Sequence, residues 1–300
     1  MKISGFSYAC NADSLCYPVK ESILSILPVC DEFIMAVGKG KAGDRTLEII
    51  ESIGDRKIKI IPTVWDLENN PGDHVFRQQA NLALAQCSGD WCFHIQCDEV
   101  VHEDGLAEIK KRCEDLVADT EVEGMLLRWR NFWGDYDHYL VNHRLCAREI
   151  RIIRNGIGIE SYKDSQSFRR NGEKLKVVLL DAYLFHYSYV RPPRVLRKKQ
   201  IVADAIYRHS DAPEGAEESL APWDYGSLEK IPRFGGTHPA VMRERIAAMN
   251  WADELHYSGP SKVRHKHERL KYRILTWLEQ RILGGRYYIG SSNWKLLRKK

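Results

Sequence analysis

The chain has 300 residues, of which 44% are hydrophobic and 29% are charged, and its formal net charge is +4. These values describe one large globular domain, or one domain with an appendage, and exclude low-complexity and disulfide-framework proteins. No apolar run approaches the roughly 18 residues that a bilayer-spanning helix needs. The eight cysteines include no Cys-x-x-Cys pair, and the opening Met-Lys-Ile-Ser-Gly lacks a basic segment followed by an apolar stretch. We therefore expect a cytoplasmic protein with reduced thiols.

The first hundred residues alternate short apolar runs with helical periodicity. The predicted strands cover 3–8, 33–37, 58–61 and 91–95, and the predicted helices cover 18–28, 44–53 and 75–87. Alternation at this spacing indicates right-handed crossovers and a parallel sheet. Ligands of such sheets bind beyond the carboxyl ends of the strands. We therefore look for chemistry at 8–11, 37–38, 62–66 and 96–99.

The remainder is predicted to mix strands, helices and loops. An amphipathic helix is expected over 105–118 and a basic helix over 192–209, with an acidic loop over 211–220. Further strands are expected at 125–129, 148–154, 176–180 and 183–186.

The last forty residues differ in charge from the rest. Residues 261–300 hold twelve Lys or Arg and two acids, a net charge of +10, so the first 260 residues carry −6. Leu270, Ile274, Trp277 and Leu278 form an apolar side of a helix predicted to run to about 283. This combination is typical of segments that bind anionic membranes, so we expect peripheral contact with the inner membrane face through 261–300. Nucleic acid is the alternative for this tail, but the body has no motif that reads nucleic acid and we expect none as a partner.

Asp98 is the main candidate for a metal ligand. It lies three residues beyond Ile95, at the end of the best-defined predicted strand. Mg²⁺ and Mn²⁺ prefer oxygen ligands and keep open positions for a substrate, so a carboxylate facing the crevice of the sheet is suitable. The alternative is an acid that caps the next turn.

Several motifs, taken in order, resemble family-2 glycosyltransferases. They are Tyr-x-x-Asn at 8–11, Glu-Ser-Ile at 21–23, Asp-Glu at 31–32, the run 77–84, and Gly-Asp-Trp at 89–91 before a strand that ends in Gln-x-Asp-Glu. The resemblance covers about residues 1–190 and is most specific over 78–100. It implies a GT-A-type α/β fold, with a Rossmann-like, mostly parallel sheet flanked by helices. It also implies Mn²⁺- or Mg²⁺-dependent, inverting transfer of a sugar from a UDP- or GDP-sugar to a hydroxyl of a glycan or lipid-linked acceptor.

The resemblance also implies a division of the chain. We expect a GT-A domain over 1–240, with a nucleotide-binding half at 1–100 and an acceptor half at 101–240. A basic helical extension is expected over 241–300.

Individual residues receive roles from the resemblance. The nucleotide-binding candidates are Tyr8, Asn11, Asp13, Gly38, Asp44, Trp65, Gln78 and Gln96. The family's Asp-x-Asp stands here as Gln96-Cys97-Asp98, and glutamine can still hydrogen-bond a ribose hydroxyl but carries no charge. His186 is the expected second metal ligand, with His238 as its competitor. Asp44 falls later than the usual base-reading acid, so the choice between uridine and guanosine stays open.

Inverting transfer requires a general base for the acceptor hydroxyl. Asp164 occupies the matching part of the chain, with Glu99 and Glu160 as rivals, and an Asx-turn residue is the alternative reading of Asp164. Arg191 and Lys198, in a basic cluster with Arg194 and Lys199, are expected to hold the diphosphate, unless the cluster is simply a solvated helix face.

The acceptor site is expected in an aromatic stretch. Trp129 and Trp133 are the main candidates, because flat aromatic faces suit a sugar ring. An aromatic core beneath a long loop is the alternative. Two other functions stay open: a sugar-nucleotide nucleotidyltransferase, and a degenerate GT-A domain that acts as a scaffold.

Overall fold

The structure is a computed structural model, and it describes residues 1–67, 69, 74–143, 147–208, 221–259, 265–283, 289 and 292–298. The predicted acidic loop at 211–220 and parts of the predicted tail, including 261–264 and 284–288, lie outside the described residues.

The first half forms a parallel α/β unit. Its elements are β1 (Ile3–Ala9), α1 (Val19–Ile26), β2 (Glu32–Gly38), α2 (Thr46–Glu51), β3 (Ile58–Thr63), α3 (His74–Leu84) and β4 (Trp91–His94). β1 pairs in parallel with β2 and with β4, and β2 pairs in parallel with β3. β2 is buried along its whole length because it is covered on both faces, which explains its continuous apolar run.

The second half adds strands to the same sheet and closes it with helices. Its elements are β5 (Glu99–Val101), α4 (Leu106–Leu116), β6 (Gly124–Trp133), β7 (Tyr139–Leu140), β8 (Arg148–Arg154), β9 (Ile159–Tyr162), β10 (Ser167–Arg170), β11 (Glu173–Lys174), β12 (Lys176–Tyr189), α5 (Pro193–Arg208), α6 (Arg243–Ala247), α7 (Leu270–Trp277) and β13 (Lys295–Leu296). The main sheet has the order β13-β12-β6-β8-β4-β1-β2-β3, with β5 on β12 and β7 on β6. β9, β10 and β11 form a separate small sheet. The predicted α/β class, with a sheet flanked by helices, is confirmed.

Three details differ from the sequence prediction. β8 runs antiparallel between β4 and β6, so the sheet is mixed. The two strands predicted at 176–180 and 183–186 are one strand, β12, whose register with β6 shifts between Leu179 and Tyr183. The helix predicted to run to about 283 consists of α7 and a π-helical turn, Leu278–Ile282. The first two differences depend on pairing between distant segments, which local periodicity does not report.

Two observations concern the predicted extension. Met242, Trp251 and Leu255 are buried in the same cluster as Phe132 of β6 and Tyr187 of β12. β13 pairs with the start of β12 and so continues the main sheet. Described parts of 241–300 therefore pack on the sheet, and the boundary at 240 stays a prediction.

The sequence contains no apolar run long enough to predict a membrane-spanning helix. Among the described residues, none of the helices combines the length and apolar character needed to cross a bilayer.

Candidate active site

A cavity of about 460 Å³ lies at the carboxyl ends of β1 and β4 and is covered by α5. Six of the predicted site residues line it: Tyr8, Asn11, Trp65, Gln96, Asp98 and Asp164. α5 contributes Lys199, Val202, Ile206 and Tyr207, among others. A cavity with a few converging polar groups is the usual form of a small-molecule site.

Asp98 is the electrostatic centre of this cavity. Its carboxylate is buried, with Oδ2 at 3.6 Å from Nε2 of His186 and 3.7 Å from Nζ of Lys199. Burial opposes ionisation, but His186, Lys199 and Arg191 together hold the pKa of Asp98 well below its ordinary value. A hydrogen bond from the Tyr187 amide to the Asp98 carbonyl (2.8 Å) joins this loop to β12 and so brings His186 beside Asp98.

His186 is held so that one ring nitrogen faces the carboxylate. Its Nδ1 lies 2.8 Å from the amide oxygen of Asn131, and its ring stacks on Trp129 with centroids 4.6 Å apart. Because the Asn131 amide oxygen can only accept, Nδ1 carries a proton, and Nε2 is the ring nitrogen that faces Asp98. Metal-binding histidines are commonly oriented by such a second hydrogen bond.

The donor set fits a divalent cation that also uses substrate oxygens. Among the described residues, no group of three or more His, Cys, Asp or Glu is placed to hold a metal. Asp98 and His186 would thus give a cation only two protein ligands, and Mg²⁺ or Mn²⁺ commonly takes its remaining ligands from phosphates and water. The hydrogen bonds of His238 go elsewhere. Its Nε2 donates to the Tyr136 carbonyl at 2.9 Å, and its Nδ1 lies 2.7 Å from the Tyr187 hydroxyl.

Arg191 is a buried cation with unused hydrogen-bonding capacity. Its Nη1 donates to the Leu15 carbonyl at 2.6 Å, and its guanidinium lies 4.4 Å from the Tyr17 ring centroid. Its Nε and Nη2 are buried and have no hydrogen-bond partner among the described residues. Unpartnered buried donors are rare and costly, and Arg191 lies behind the cavity wall, because it is fully buried and does not itself line the cavity.

Lys199, rather than the predicted Lys198, reaches the cavity. Neighbouring residues of a helix point about 100° apart, so only one of the two can face inward. Lys199 donates to the backbone oxygen of Ser188 at 3.3 Å and to its hydroxyl. Burial and the nearby Arg191 lower the pKa of Lys199 to about 7, against the opposing effect of Asp98. Both lysines belong to the predicted basic cluster, and helical spacing decides between them, because Lys199 lies on the same face of α5 as Leu196 and Ile206.

Asp164 lies in the turn between β9 and β10. Its neighbours Lys163 and Ser165 have φ values of 54° and 63°, which makes this a tight left-handed turn. One carboxylate oxygen, Oδ2, accepts a hydrogen bond from the Tyr207 hydroxyl at 3.2 Å. The other, Oδ1, is buried and has no hydrogen-bond partner among the described residues. Gln96 fixes the turn by donating from Nε2 to the Ser165 carbonyl at 3.1 Å.

Aromatic side chains form the wall next to the loop after β2. Tyr8, Trp65 and Phe76 pack together, with ring centroids 5.5–6.4 Å apart. Gly38 is required for this packing, because a Cβ at that position would lie 2.4 Å from Trp65. Burial raises the pKa of Tyr8 well above its ordinary value, so its phenol stays neutral. The predicted nucleotide role of Gly38 is thus accompanied by a local structural one.

Three predicted nucleotide-binding residues organise the surrounding loops. Asn11 accepts from the Lys41 amide at 2.7 Å through Oδ1. Asp44 accepts from the amides of Ser14 and Thr46, both at 3.0 Å, and does not line the cavity. The side chain of Asp13 pairs with Arg45.

Other predicted residues are not brought to the cavity. Glu99 is fully buried, and its two oxygens accept from Nε and Nη2 of Arg151 at 2.8 and 2.6 Å. This bidentate ion pair leaves Glu99 without access to an acceptor hydroxyl. Gln78, Lys198 and Glu160 do not line the cavity either.

The two predicted acceptor residues have different surroundings. Trp133 is buried, and its indole donates to the Tyr225 carbonyl at 3.0 Å. These surroundings match the alternative prediction that the aromatic residues form a core beneath a loop. Trp129 lines a second cavity of about 420 Å³ together with Arg130, Asn131 and Gln280.

Comparisons with known proteins give distant, partial likenesses. No protein-family model matches the chain, and the search of curated proteins finds no match. One similar solved structure is glucosyl-3-phosphoglycerate synthase from Mycobacterium tuberculosis in complex with Mn²⁺, uridine diphosphate and phosphoglyceric acid. It is 18% identical, with a TM-score of 0.30, over 43% of this chain and 42% of that chain.

Two further structures are similar to parts of the chain. The same enzyme with Mn²⁺, UDP-glucose and glycerol 3-phosphate is 18% identical, with a TM-score of 0.29, over 43% of each chain. S. aureus TarS is 14% identical, with a TM-score of 0.36, over 72% of this chain and 41% of that chain. Each match spans less than half of the solved chain.

Proposed function

We propose that this protein is an inverting glycosyltransferase that moves a sugar from a nucleoside-diphosphate-sugar to an acceptor hydroxyl. The observation that carries the proposal is the group of charges around Asp98. A buried carboxylate lies beside His186 and Lys199, and the buried Arg191 nearby has two unpartnered donors. A departing diphosphate needs such an arrangement, because its negative charge grows as the bond to the sugar breaks.

Asp98 and His186 are the residues that would hold Mn²⁺ or Mg²⁺. The bound cation would supply charge neutralisation for the leaving diphosphate. A single protein carboxylate suffices for this role where phosphate oxygens complete the coordination.

Arg191 and Lys199 supply charge that belongs to the chain itself. The unpartnered Nε–H and Nη2–H of Arg191 would donate charge-assisted hydrogen bonds to the diphosphate, and the Lys199 ammonium would add another. Tyr8 and Trp65 offer flat faces for the nucleoside. The division into a nucleotide-binding half at 1–100, an acceptor half at 101–240 and an extension at 241–300 stays a prediction, and Arg191 and Lys199 would contribute to the donor site from the second of these.

Asp164 is the proposed general base. The acceptor oxygen would attack the anomeric carbon on the face opposite the diphosphate, and the bond from that carbon to the diphosphate oxygen would break. The proton of the acceptor hydroxyl would pass to Oδ1 of Asp164, which has no other partner among the described residues. Tyr207 would hold Oδ2 and so fix the direction of Oδ1.

The second cavity is the proposed acceptor subsite. Trp129 lines the second cavity and stacks on His186, which in turn lies beside Asp98 of the first cavity. Arg130 brings a positive charge to the second cavity, which suits an acceptor with phosphate or carboxylate groups, such as a lipid-linked glycan.

The test is release of nucleoside diphosphate from a panel of UDP- and GDP-sugars with Mn²⁺, alone and with candidate acceptors. We expect release from at least one donor, and its loss in Asp98→Asn and in Asp164→Asn. Asp181→Asn is the matched control, because Asp181 is on the same strand as His186 but its side chain is 81% exposed. Release that persists in both site variants would contradict the proposal. Pyrophosphate release from a nucleoside triphosphate and a sugar 1-phosphate would favour the nucleotidyltransferase instead.

A further inference from the structure

α7 presents an apolar stripe to solvent. Leu270, Ile274 and Trp277 follow the i, i+4, i+7 spacing of one helix face and are 65%, 51% and 57% exposed. Ile282, in the π-helical turn that follows, is 62% exposed. Single exposed apolar residues are ordinary. A continuous exposed stripe of apolar side chains indicates a surface that binds a membrane or another protein.

Cations flank this stripe. Arg269, Lys271, Arg273 and Arg281 are all exposed, and in the described part of the chain none of them is engaged in an ion pair with an acid. At about 100° per residue, Lys271 falls on one side of the stripe and Arg273 on the other.

The opposite face of the segment anchors it to the body. The His143 amide donates to Oγ1 of Thr276 at 2.9 Å, and Nδ1 of His143 lies 2.7 Å from Oε1 of Glu279. Glu279 is fully buried. The helix is therefore held in one orientation, with its apolar stripe and its cations directed outward.

We propose that α7 and the turn after it form a docking surface for an anionic lipid bilayer. The stripe would enter the boundary between headgroups and acyl chains, and the flanking cations would lie at the level of the lipid phosphates. Charge complementarity selects this occupant, because a neutral bilayer would leave the four cations without counter-charges. A nucleic acid would satisfy the cations and leave the stripe in water.

The surface lies next to the second cavity. Gln280, in the same turn, lines that cavity together with Trp129. A docked α7 would thus bring the mouth of the second cavity close to the lipid surface. The docking surface itself rests on exposure and charge, and does not depend on the proposed enzymatic activity.

The test is co-sedimentation of the full chain with vesicles. We expect the protein to pellet with phosphatidylcholine vesicles that contain phosphatidylglycerol, and to stay in the supernatant with pure phosphatidylcholine. Raised salt should weaken the binding, because the Debye length shortens. No pelleting with the anionic vesicles would overturn the proposal, and so would tight RNA binding that anionic vesicles fail to compete away.

Variants locate the surface. Ile274→Ser and Trp277→Ser should each weaken vesicle binding about tenfold, because each removes a large apolar side chain from the lipid boundary. Leu82→Ser is the matched control, since Leu82 is 43% exposed on α3, and it should bind like the wild type. Brominated lipids should quench tryptophan fluorescence in the wild type and much less in Trp277→Phe. Equal binding by Ile274→Ser, Trp277→Ser and the control would overturn the assignment to α7.

Discussion

Replacing Arg191 with methionine is expected to separate ligand binding from folding stability. The guanidinium donates one hydrogen bond to the Leu15 carbonyl and contacts the Tyr17 ring, while two further donors are buried without partners among the described residues. A residue selected for stability alone would not be expected to leave two buried donors unsatisfied. Methionine keeps much of the volume and removes both the charge and the donors.

The structure allows the magnitude to be worked out. Loss of the hydrogen bond costs about 1.5–3 kcal/mol, and loss of the cation–π contact costs about 0.5–2 kcal/mol. Removal of two unpartnered buried donors recovers about 1–3 kcal/mol each. The midpoints of these ranges, a cost of about 3.5 and a recovery of about 4 kcal/mol, nearly cancel, so the free energy of unfolding should change little. Two lost charge-assisted hydrogen bonds to a diphosphate should weaken nucleotide binding about a hundredfold or more.

Arg154 supplies the matched control. Its guanidinium donates to the carbonyls of Val122, Val117, Leu116 and Asp119 at 2.8–3.0 Å. Arg154→Met should lower the free energy of unfolding by more than ~3 kcal/mol, because it leaves four part-buried carbonyls without this donor, and it should leave nucleotide affinity unchanged.

Urea denaturation measures the free energy of unfolding of each variant. Calorimetric titration with UDP or GDP in the presence of Mn²⁺ measures its nucleotide affinity. Wild-type nucleotide affinity in Arg191→Met would refute the reasoning, and so would a loss of stability as large as that of Arg154→Met.

Three further outcomes are expected. Adding Mn²⁺ should raise the nucleotide affinity of the wild type about 5–150-fold, and this increase should vanish in Asp98→Asn. An equal increase in both proteins would exclude Asp98 as a metal ligand. Tyr207→Phe removes the hydrogen bond to Asp164 and should lower kcat about tenfold while KM changes little; steady-state kinetics with the wild-type kcat would show that this contact has no positioning role. Burial would raise the pKa of Glu32, but hydrogen bonds from Lys59 and neighbouring groups lower it to about 2. Since the folded pKa is below the unfolded value, this carboxylate stabilises the fold above pH ~4.5 and loses that effect as the pH falls towards 2. Glu32→Gln should thus cost ~2 kcal/mol at pH 7 and nothing near pH 2 in urea denaturation, and a cost independent of pH would contradict this.

Much of the first half was predictable because burial determines its pattern. β2 reads as an apolar run since both faces of the strand are covered, and α1 repeats Val19, Ile23 and Ile26 towards the core. The position of Asp98 at the carboxyl end of a central strand follows from the same topology. His186 was predicted on β12, and the structure brings it beside Asp98.

What escaped prediction depends on contacts between distant segments. The pairing of Glu99 with Arg151 joins β5 to β8, and no local pattern announces it. Tyr207 meets Asp164 only because α5 crosses the turn between β9 and β10. Lys198 and Lys199 were both in the predicted basic cluster, and which of them faces the cavity depends on the orientation of α5 about its axis.

The most direct test of the account is the stereochemistry of the reaction at the anomeric carbon. Proton NMR of the product, formed from an active sugar nucleotide with Mn²⁺ and an acceptor, reports the configuration of the new glycosidic bond. The account predicts the configuration opposite to that of the donor, and no product with Asp98→Asn. Retention of the donor configuration, or product formation that does not require Asp98, would contradict it.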